Sequence, residues 1–199
     1  MKKLYLLVMV IALAAVMVIP TGGVFAAPPP LHNHYPTPVS GTLEFVDWNI
    51  DNVINTFDPT TGMSVSYNNI LTWEMHGDLE GTYVMNLAYI QYWDLSNPTI
   101  SPLPYTMTGT ETFEGTLMGH RVSYRAEQVG SGLFACPPFA PPNFNFAGSE
   151  SWESTIISAD SPLSHLRGVI TVSGIFDFNA GISDYEYSGE LVWQTGKKN

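Results

Sequence analysis

Hydrophobic and polar residues alternate along most of this chain. The clearest stretch runs from Tyr105 to Leu117, where apolar side chains such as Met107 and Phe113 occupy odd positions and threonine or glutamate fills the even positions. Because successive side chains of a β-strand point to opposite faces of the sheet, this stretch is predicted to be a strand with one apolar face and one polar face.

The same alternation is renewed eight times between Ser40 and Gln194. It predicts strands at residues 41–49, 63–76, 81–93, 105–115, 121–129, 149–158, 168–178 and 185–193. No stretch of this region has the 3.6-residue apolar period of an amphipathic helix. Strands joined by short turns indicate antiparallel pairing, and closing the sheet removes its exposed edges. We therefore predict an all-β fold, a single eight-stranded antiparallel up-and-down barrel over residues 40–195.

The N-terminal segment has the pattern of an export signal. Two lysines precede an uninterrupted apolar run at residues 4–19, and residues 24–26 offer small side chains for cleavage before Ala27. The alternative is an uncleaved membrane anchor, but a spanning helix needs about 20 apolar residues and this run is shorter. We expect a cleaved signal peptide over residues 1–26, a secreted or extracytoplasmic protein, and no stable membrane insertion after cleavage.

Three further segments lie outside the predicted strands. Residues 27–39 contain five prolines, which favour an extended tether. Residues 130–147 form a loop rich in proline and phenylalanine, and residues 196–199 form a polar tail. The loop is predicted either to pack over one barrel end as a plug or to act as a lid, because long loops on rigid scaffolds often carry sites. The lid candidates are Phe134, Phe139, Phe144 and Phe146.

Charge and cysteine content narrow the function classes. The formal net charge of −11 becomes −13 when the two lysines of the signal are removed. Such a surface repels phosphate backbones, which argues against nucleic-acid partners. Because Cys136 is the only cysteine, no internal disulfide is available and stability must come from the hydrophobic core.

Strand parity identifies the candidate site. Glu111 shares its parity with Met107 and Phe113 and is therefore expected to face the barrel interior. A mixture of apolar and polar inner side chains is typical of a small-ligand pocket. The alternatives are a structural polar network in a filled core and an acid–base site that uses Glu111. The same parity argument gives the other pocket candidates: Asp47, Asn69, Gln91, Gln128, Tyr89, Tyr105 and Tyr124.

No metal site, cofactor or catalytic motif is predicted. Residues 47–58 follow the spacing of a calcium loop, but Asn52 replaces the glycine at position 6 and Asp58 replaces the bidentate glutamate at position 12. The chain has no phosphate-binding loop, no zinc-protease motif and no paired cysteines.

Three short motifs, in this order and spacing, resemble a known bacterial family. They are Gly77-Asp78-Leu79-Glu80-Gly81, Thr110-Glu111-Thr112-Phe113-Glu114-Gly115-Thr116-Leu117 with Gly119 and Arg121, and His165-Leu166-Arg167-Gly168. The family consists of uncharacterised domains with an allene-oxide-cyclase-like barrel and is similar at fold level to plant allene oxide cyclases and dirigent proteins. The likeness covers residues 41–193 and implies an eight-stranded barrel with a cavity. It implies no activity, because shared fold does not give shared function and no cyclase motif is present.

Two functional hypotheses follow from the sequence. The first is an exported, non-catalytic barrel that binds a small apolar ligand or a partner, in or over the barrel. The second is an isomerase or cyclase that acts on a reactive hydrophobic substrate inside the barrel, with Glu111 and tyrosines adjusting the chemistry.

We predict that export removes residues 1–26 and leaves Ala27 as the new N-terminus, because the basic start, apolar run and small residues form one cleavage pattern. The intact mass and N-terminal sequence of the exported protein check this. A membrane-bound product that retains Met1 would contradict it.

Overall fold

The computed structural model describes residues 35–94, 96, 102–134, 147–160, 163, 165–177 and 180–193. These residues contain nine β-strands and no helix, so no described segment is a helix long and apolar enough to cross a membrane. The strands are β1 (Thr37–Asn49), β2 (Ile54–Asp58), β3 (Met63–Gly77), β4 (Leu79–Tyr92), β5 (Leu103–Leu117), β6 (His120–Phe134), β7 (Ala147–Ala159), β8 (Arg167–Asp177) and β9 (Ile182–Val192).

Eight of these strands close an antiparallel up-and-down barrel. The hydrogen-bonded order is β1-β9-β8-β7-β6-β5-β4-β3, and β1 also pairs with β3. The closure joins Gly41 to Gly77 and continues to Asn49 opposite Ile70. The predicted all-β barrel and its eight strands are therefore confirmed. We call the end where β4, β6 and β8 finish the mouth, and the opposite end the far end.

β2 is a ninth strand that the sequence pattern did not predict. It pairs with Met63–Tyr67 of β3, whereas β1 pairs with the rest of the same β3 edge, from Ile70 to Gly77. β2 therefore continues the barrel wall where β1 leaves it. Four of its five residues are exposed, including Phe57 at 55%. A short strand without a buried face shows no apolar–polar alternation, which explains why it was missed.

A bulge in β1 corrects the prediction that Asp47 faces inward. The β1–β3 register shifts between Phe45 and Asp47, so Val46 is an extra residue in β1. An extra residue turns the side chains of all later residues in the strand to the opposite face of the sheet. Trp48 consequently lies opposite the buried Leu71, and Asp47 is exposed.

Aromatic rings occupy the barrel interior. The Trp73 ring centroid lies 4.8 Å from that of Tyr185 and 6.3 Å from that of Trp152, and all three side chains are almost completely buried. Each ring comes from a different strand, so the cluster ties β3, β7 and β9 together across the interior. Rings of this size supply a large part of the apolar burial that stabilises a barrel.

At the far end of the barrel, the Tyr187 side chain of β9 is hydrogen-bonded to the start of β4, beside the strands that close the barrel. Its hydroxyl accepts a hydrogen bond from the Leu79 amide at 2.8 Å and donates one to the Leu79 carbonyl at 3.3 Å. The ring reaches this place because Gly41 and Gly77 leave room: a Cβ on either glycine would overlap backbone atoms of the opposite strand.

The strand ends revise two predicted boundaries. β1 begins at Thr37 and so takes in the last residues of the range assigned to the tether. β6 continues to Phe134, so the start of the range predicted as a loop is strand. The last residue of that range, Ala147, begins β7. Residues 135–146 with Cys136, the signal segment and the polar tail lie outside the described residues.

Candidate functional site

A cavity of about 300 Å³ lies at the mouth of the barrel. Its walls are mainly apolar and aromatic, with a few polar groups among them. Tyr105 and Phe134 stack with ring centroids 4.5 Å apart, and Tyr89 and Phe176 meet this pair edge-on. The lining residues are Trp48, Ile50, Val53, Asn55, Ser66, Asn69, Leu71, Tyr89, Gln91, Tyr105, Phe134, Glu150 and Phe176.

The cavity lies beside the interruption between β1 and β2. Opposite this gap, β3 has its own bulge at Asn68, which has a positive φ of 60°. Asn68 Nδ2 donates to the Asn52 carbonyl at 3.3 Å and so ties the β1–β2 connection to β3. Asn69 Nδ2 donates to the Leu87 carbonyl at 3.3 Å and to Ser66 Oγ at 3.0 Å. These bonds satisfy a buried amide and hold its side chain at the cavity wall.

A carboxylate held by two phenols faces this cavity. Tyr185 donates a hydrogen bond to Glu150 Oε1 at 2.7 Å, and Tyr105 donates one to Glu150 Oε2. We call these three residues the mouth cluster. Burial raises the pKa of Glu150 above its usual value, and the hydrogen bonds from Tyr105 and Tyr185 partly offset that rise.

The two phenols of the mouth cluster are hydrogen-bond donors that keep their protons. Burial, followed by the neighbouring charge of Glu150, raises the pKa of both Tyr105 and Tyr185 well above the usual range of a phenol. Both hydroxyls therefore stay protonated at neutral pH. A carboxylate has about four lone-pair sites, so two bonded phenols leave it acceptor capacity toward the cavity.

Glu111 belongs to a second polar group deeper in the barrel. It is 2% exposed, and Ser154 Oγ donates to its Oε1 at 2.9 Å. The Tyr83 hydroxyl lies 3.2 Å from Ser154 Oγ and accepts a bond from Trp152 Nε1 at 3.3 Å. We call Glu111, Ser154, Tyr83 and Trp152 the inner cluster.

Glu111 is protonated more readily than an ordinary glutamate. Burial raises its pKa from 4.5 to about 7, although hydrogen bonding from Tyr83 and Ser154 opposes the rise. Its Oε2 atom and the Tyr124 hydroxyl have no hydrogen-bond partner within the described ranges. The arrangement indicates a carboxyl group that changes protonation near neutral pH.

The predicted site residues divide into three groups. Asn69, Gln91, Tyr89 and Tyr105 line the cavity, as does the lid candidate Phe134. Glu111, Gln128 and Tyr124 are buried in the interior but do not line the cavity. Asp47 is exposed, and Phe139, Phe144 and Phe146 lie outside the described residues.

Sequence reasoning missed Glu150 and Tyr185. Glu150 shares strand parity with the buried Trp152 and Ile156, so the argument that identified Glu111 would also have identified Glu150. Its pairing with Tyr105 and Tyr185 depends on the register of three strands and has no signal in the sequence.

Comparison of the sequence with family models and with curated proteins gives no relative. No family model matches the chain, and no curated protein matches it significantly. Within the described ranges, no three His, Cys, Asp or Glu side chains are placed to hold a metal ion. The function must therefore be argued from the geometry of the barrel.

We predict that Glu111 makes stability depend on pH. The folded protein retains this proton up to about pH 7, whereas the unfolded chain loses it near 4.5. Its contribution is therefore fully present below pH 4.5 and is lost as pH rises through 7. Relative to Glu111→Gln, the wild-type free energy of unfolding should fall by about 3 kcal/mol between pH 4.5 and 8, as measured by urea denaturation.

Glu114→Gln is the matched control, because Glu114 lies on the same strand with its side chain exposed. Its pH profile should follow the wild type. Parallel profiles for wild type and Glu111→Gln would show that Glu111 does not titrate as described.

Proposed function

We propose that this protein binds a small, largely apolar molecule in the cavity at the mouth of its barrel. The observation that carries the proposal is a cavity of about 300 Å³ walled by aromatic rings, with Asn69, Gln91 and Glu150 directed into it. Small-molecule sites combine apolar walls with a few placed polar groups in this way, and their volumes begin at about 300 Å³.

The polar groups of the cavity are held by the fold before any ligand arrives. Asn69 is fixed by bonds to β3 and β4, and Glu150 by two phenols from β5 and β9. Fixed side chains lose little conformational entropy when a ligand binds, which increases affinity. The fixed positions of these polar groups support a ligand-binding role for them over a purely structural role in the core.

The proposed place of action is outside the cytoplasm. Support for export comes from the lysines, apolar run and small residues of positions 1–26. The closed eight-stranded barrel is compatible with the proposed likeness to allene-oxide-cyclase-like domains, which rests on three short motifs.

An isomerase or cyclase is the second candidate function. The favouring observation is that Glu150 lines the cavity and has a raised pKa, because such a carboxyl group can accept a proton and return it. The sequence suggested Glu111 as the acid–base group of such an enzyme, but Glu111 does not line the cavity. Recovery of a bound molecule in chemically altered form would favour catalysis over simple binding.

We predict saturable binding of N-phenyl-1-naphthylamine, a neutral apolar fluorophore, with one site per chain. Asn55 lines the cavity from β2, so Asn55→Trp places an indole in the space that the probe needs. The variant should weaken binding at least about tenfold, which corresponds to about 1.4 kcal/mol. Fluorescence titration measures the dissociation constants of the probe for the wild type and for Asn55→Trp.

Thr56→Trp adds the same indole to the neighbouring residue of β2, which points to the other face of the strand. This control should bind the probe as the wild type does. Non-saturable uptake, or equal affinity in all three proteins, would reject the mouth cavity as the binding site.

A further inference from the structure

Among the described residues that line the cavity, Glu150 is the only one with a charged side chain. Its carboxylate is bonded by two neutral phenols, and no Lys, Arg or His lies within ion-pair distance of it in the described ranges. A partly buried carboxylate without a counter-charge is less favourable than one fully in water, and hydrogen bonds to its oxygens favour the ionised form. When Glu150 is ionised, the cavity contains a negative group whose charge a bound cation would offset.

Basic side chains lie away from the mouth in the part of the chain that the structure describes. Strand polarity puts most of them at the far end, where β3 finishes and β6 and β8 begin. Arg125 lies along β6 with its side chain exposed. The full set is Arg121, Arg125, Arg167, His76, His120 and His165.

Negative side chains lie at both ends of the barrel, and several of them lie at the mouth. Asp51 follows the lining residue Ile50, Asp58 ends β2, and Asp177 ends β8 next to the lining residue Phe176. Asp94 follows β4 at the same end. Because the described basic side chains lie elsewhere, the negative groups at the mouth attract cations and repel anions over about 10 Å at moderate salt.

Aromatic rings form the walls around Glu150. Tyr89, Tyr105 and Phe134 lie in successive contact, with centroids 5.6 and 4.5 Å apart. The faces of such rings carry partial negative charge and attract ammonium groups, and clusters of rings are a known means of holding them. A metal ion would need several oxygen, nitrogen or sulfur ligands, and the described residues offer no group of three.

We infer that the mouth cavity selects apolar molecules that carry a protonated amine, with the ammonium near Glu150 and the apolar part against the aromatic walls. This inference rests on the proposed function, because it names the chemical class of the ligand. A neutral molecule of the same shape would leave the Glu150 carboxylate uncompensated. An anionic molecule would face it without any positive group at the mouth in the described ranges.

Three probes that share a phenylbutyl body and differ in their head group test this inference on the unmodified protein: 4-phenylbutylamine, 4-phenylbutanol and 4-phenylbutyrate. Isothermal titration calorimetry at pH 7.5 measures each dissociation constant. The amine should bind at least about tenfold more tightly than the alcohol, because it gains a charge-assisted bond and ring contacts. The carboxylate should bind at least about tenfold more weakly than the alcohol.

Two variants locate the selectivity. Glu150→Gln retains an acceptor oxygen for the tyrosines but removes the charge, so the amine should lose its advantage while the alcohol keeps its affinity within about threefold. Glu153→Gln removes one charge from the exposed face of the same strand and should keep the wild-type order. The three-probe comparison on the wild type remains decisive if Glu150→Gln fails to fold.

The outcomes separate this inference from the proposed function. If all three probes bind equally, or the carboxylate binds best, the cavity is a ligand site but the preference for amines is wrong. An amine preference that persists in Glu150→Gln also overturns the inference. If no probe binds, both the amine preference and the proposed cavity are wrong.

Discussion

The hydrogen-bonded ladder between β1 and β3 is the contact on which the rest of the structure depends. It joins the first strand to the far edge of the sheet and so turns an eight-stranded sheet into a barrel. The place where this ladder ends also determines where the barrel wall is interrupted. β1 bulges at Val46 and leaves β3 after Asn49, and β2 resumes the pairing from Ile54. The cavity lies at this interruption, so closure and opening follow from one pair of strands.

Closure also explains the unusual carboxyl groups. Inside a closed wall, Glu111 is removed from water and Glu150 is partly removed from it, and neither has a cation as partner in the described part of the chain. Burial therefore raises the pKa of both, and neighbouring hydroxyl groups supply the hydrogen bonds that water would otherwise provide. The two residues differ in access: Glu111 is enclosed by the inner cluster, whereas Glu150 faces the cavity. Only Glu150 is placed to meet a ligand directly.

Two-residue alternation was enough to predict the eight barrel strands, because each has one face on a shared core. The same parity argument placed Glu111 and Asn69 inside and, applied to β7, would have placed Glu150 there. It failed for Asp47, because a single extra residue at Val46 exchanges the inward and outward faces of the rest of β1. The sequence carries no signal of this extra residue. β2 was missed because it has no buried face. The mouth cluster joins side chains of β5, β7 and β9, so its existence depends on strand register.

Amide hydrogen exchange across the closing strands tests barrel closure most directly. Gly41, Thr42 and Leu43 pair with β9 on one side and with β3 on the other, so all three amides lie within the wall. Closure predicts that all three exchange as slowly as the amide of Phe113, which lies in the interior of the sheet. In an open sheet β1 would be an edge strand, and its amides directed toward β3 would exchange rapidly. Rapid exchange at any of these three amides, with Phe113 still protected, would contradict the closed barrel.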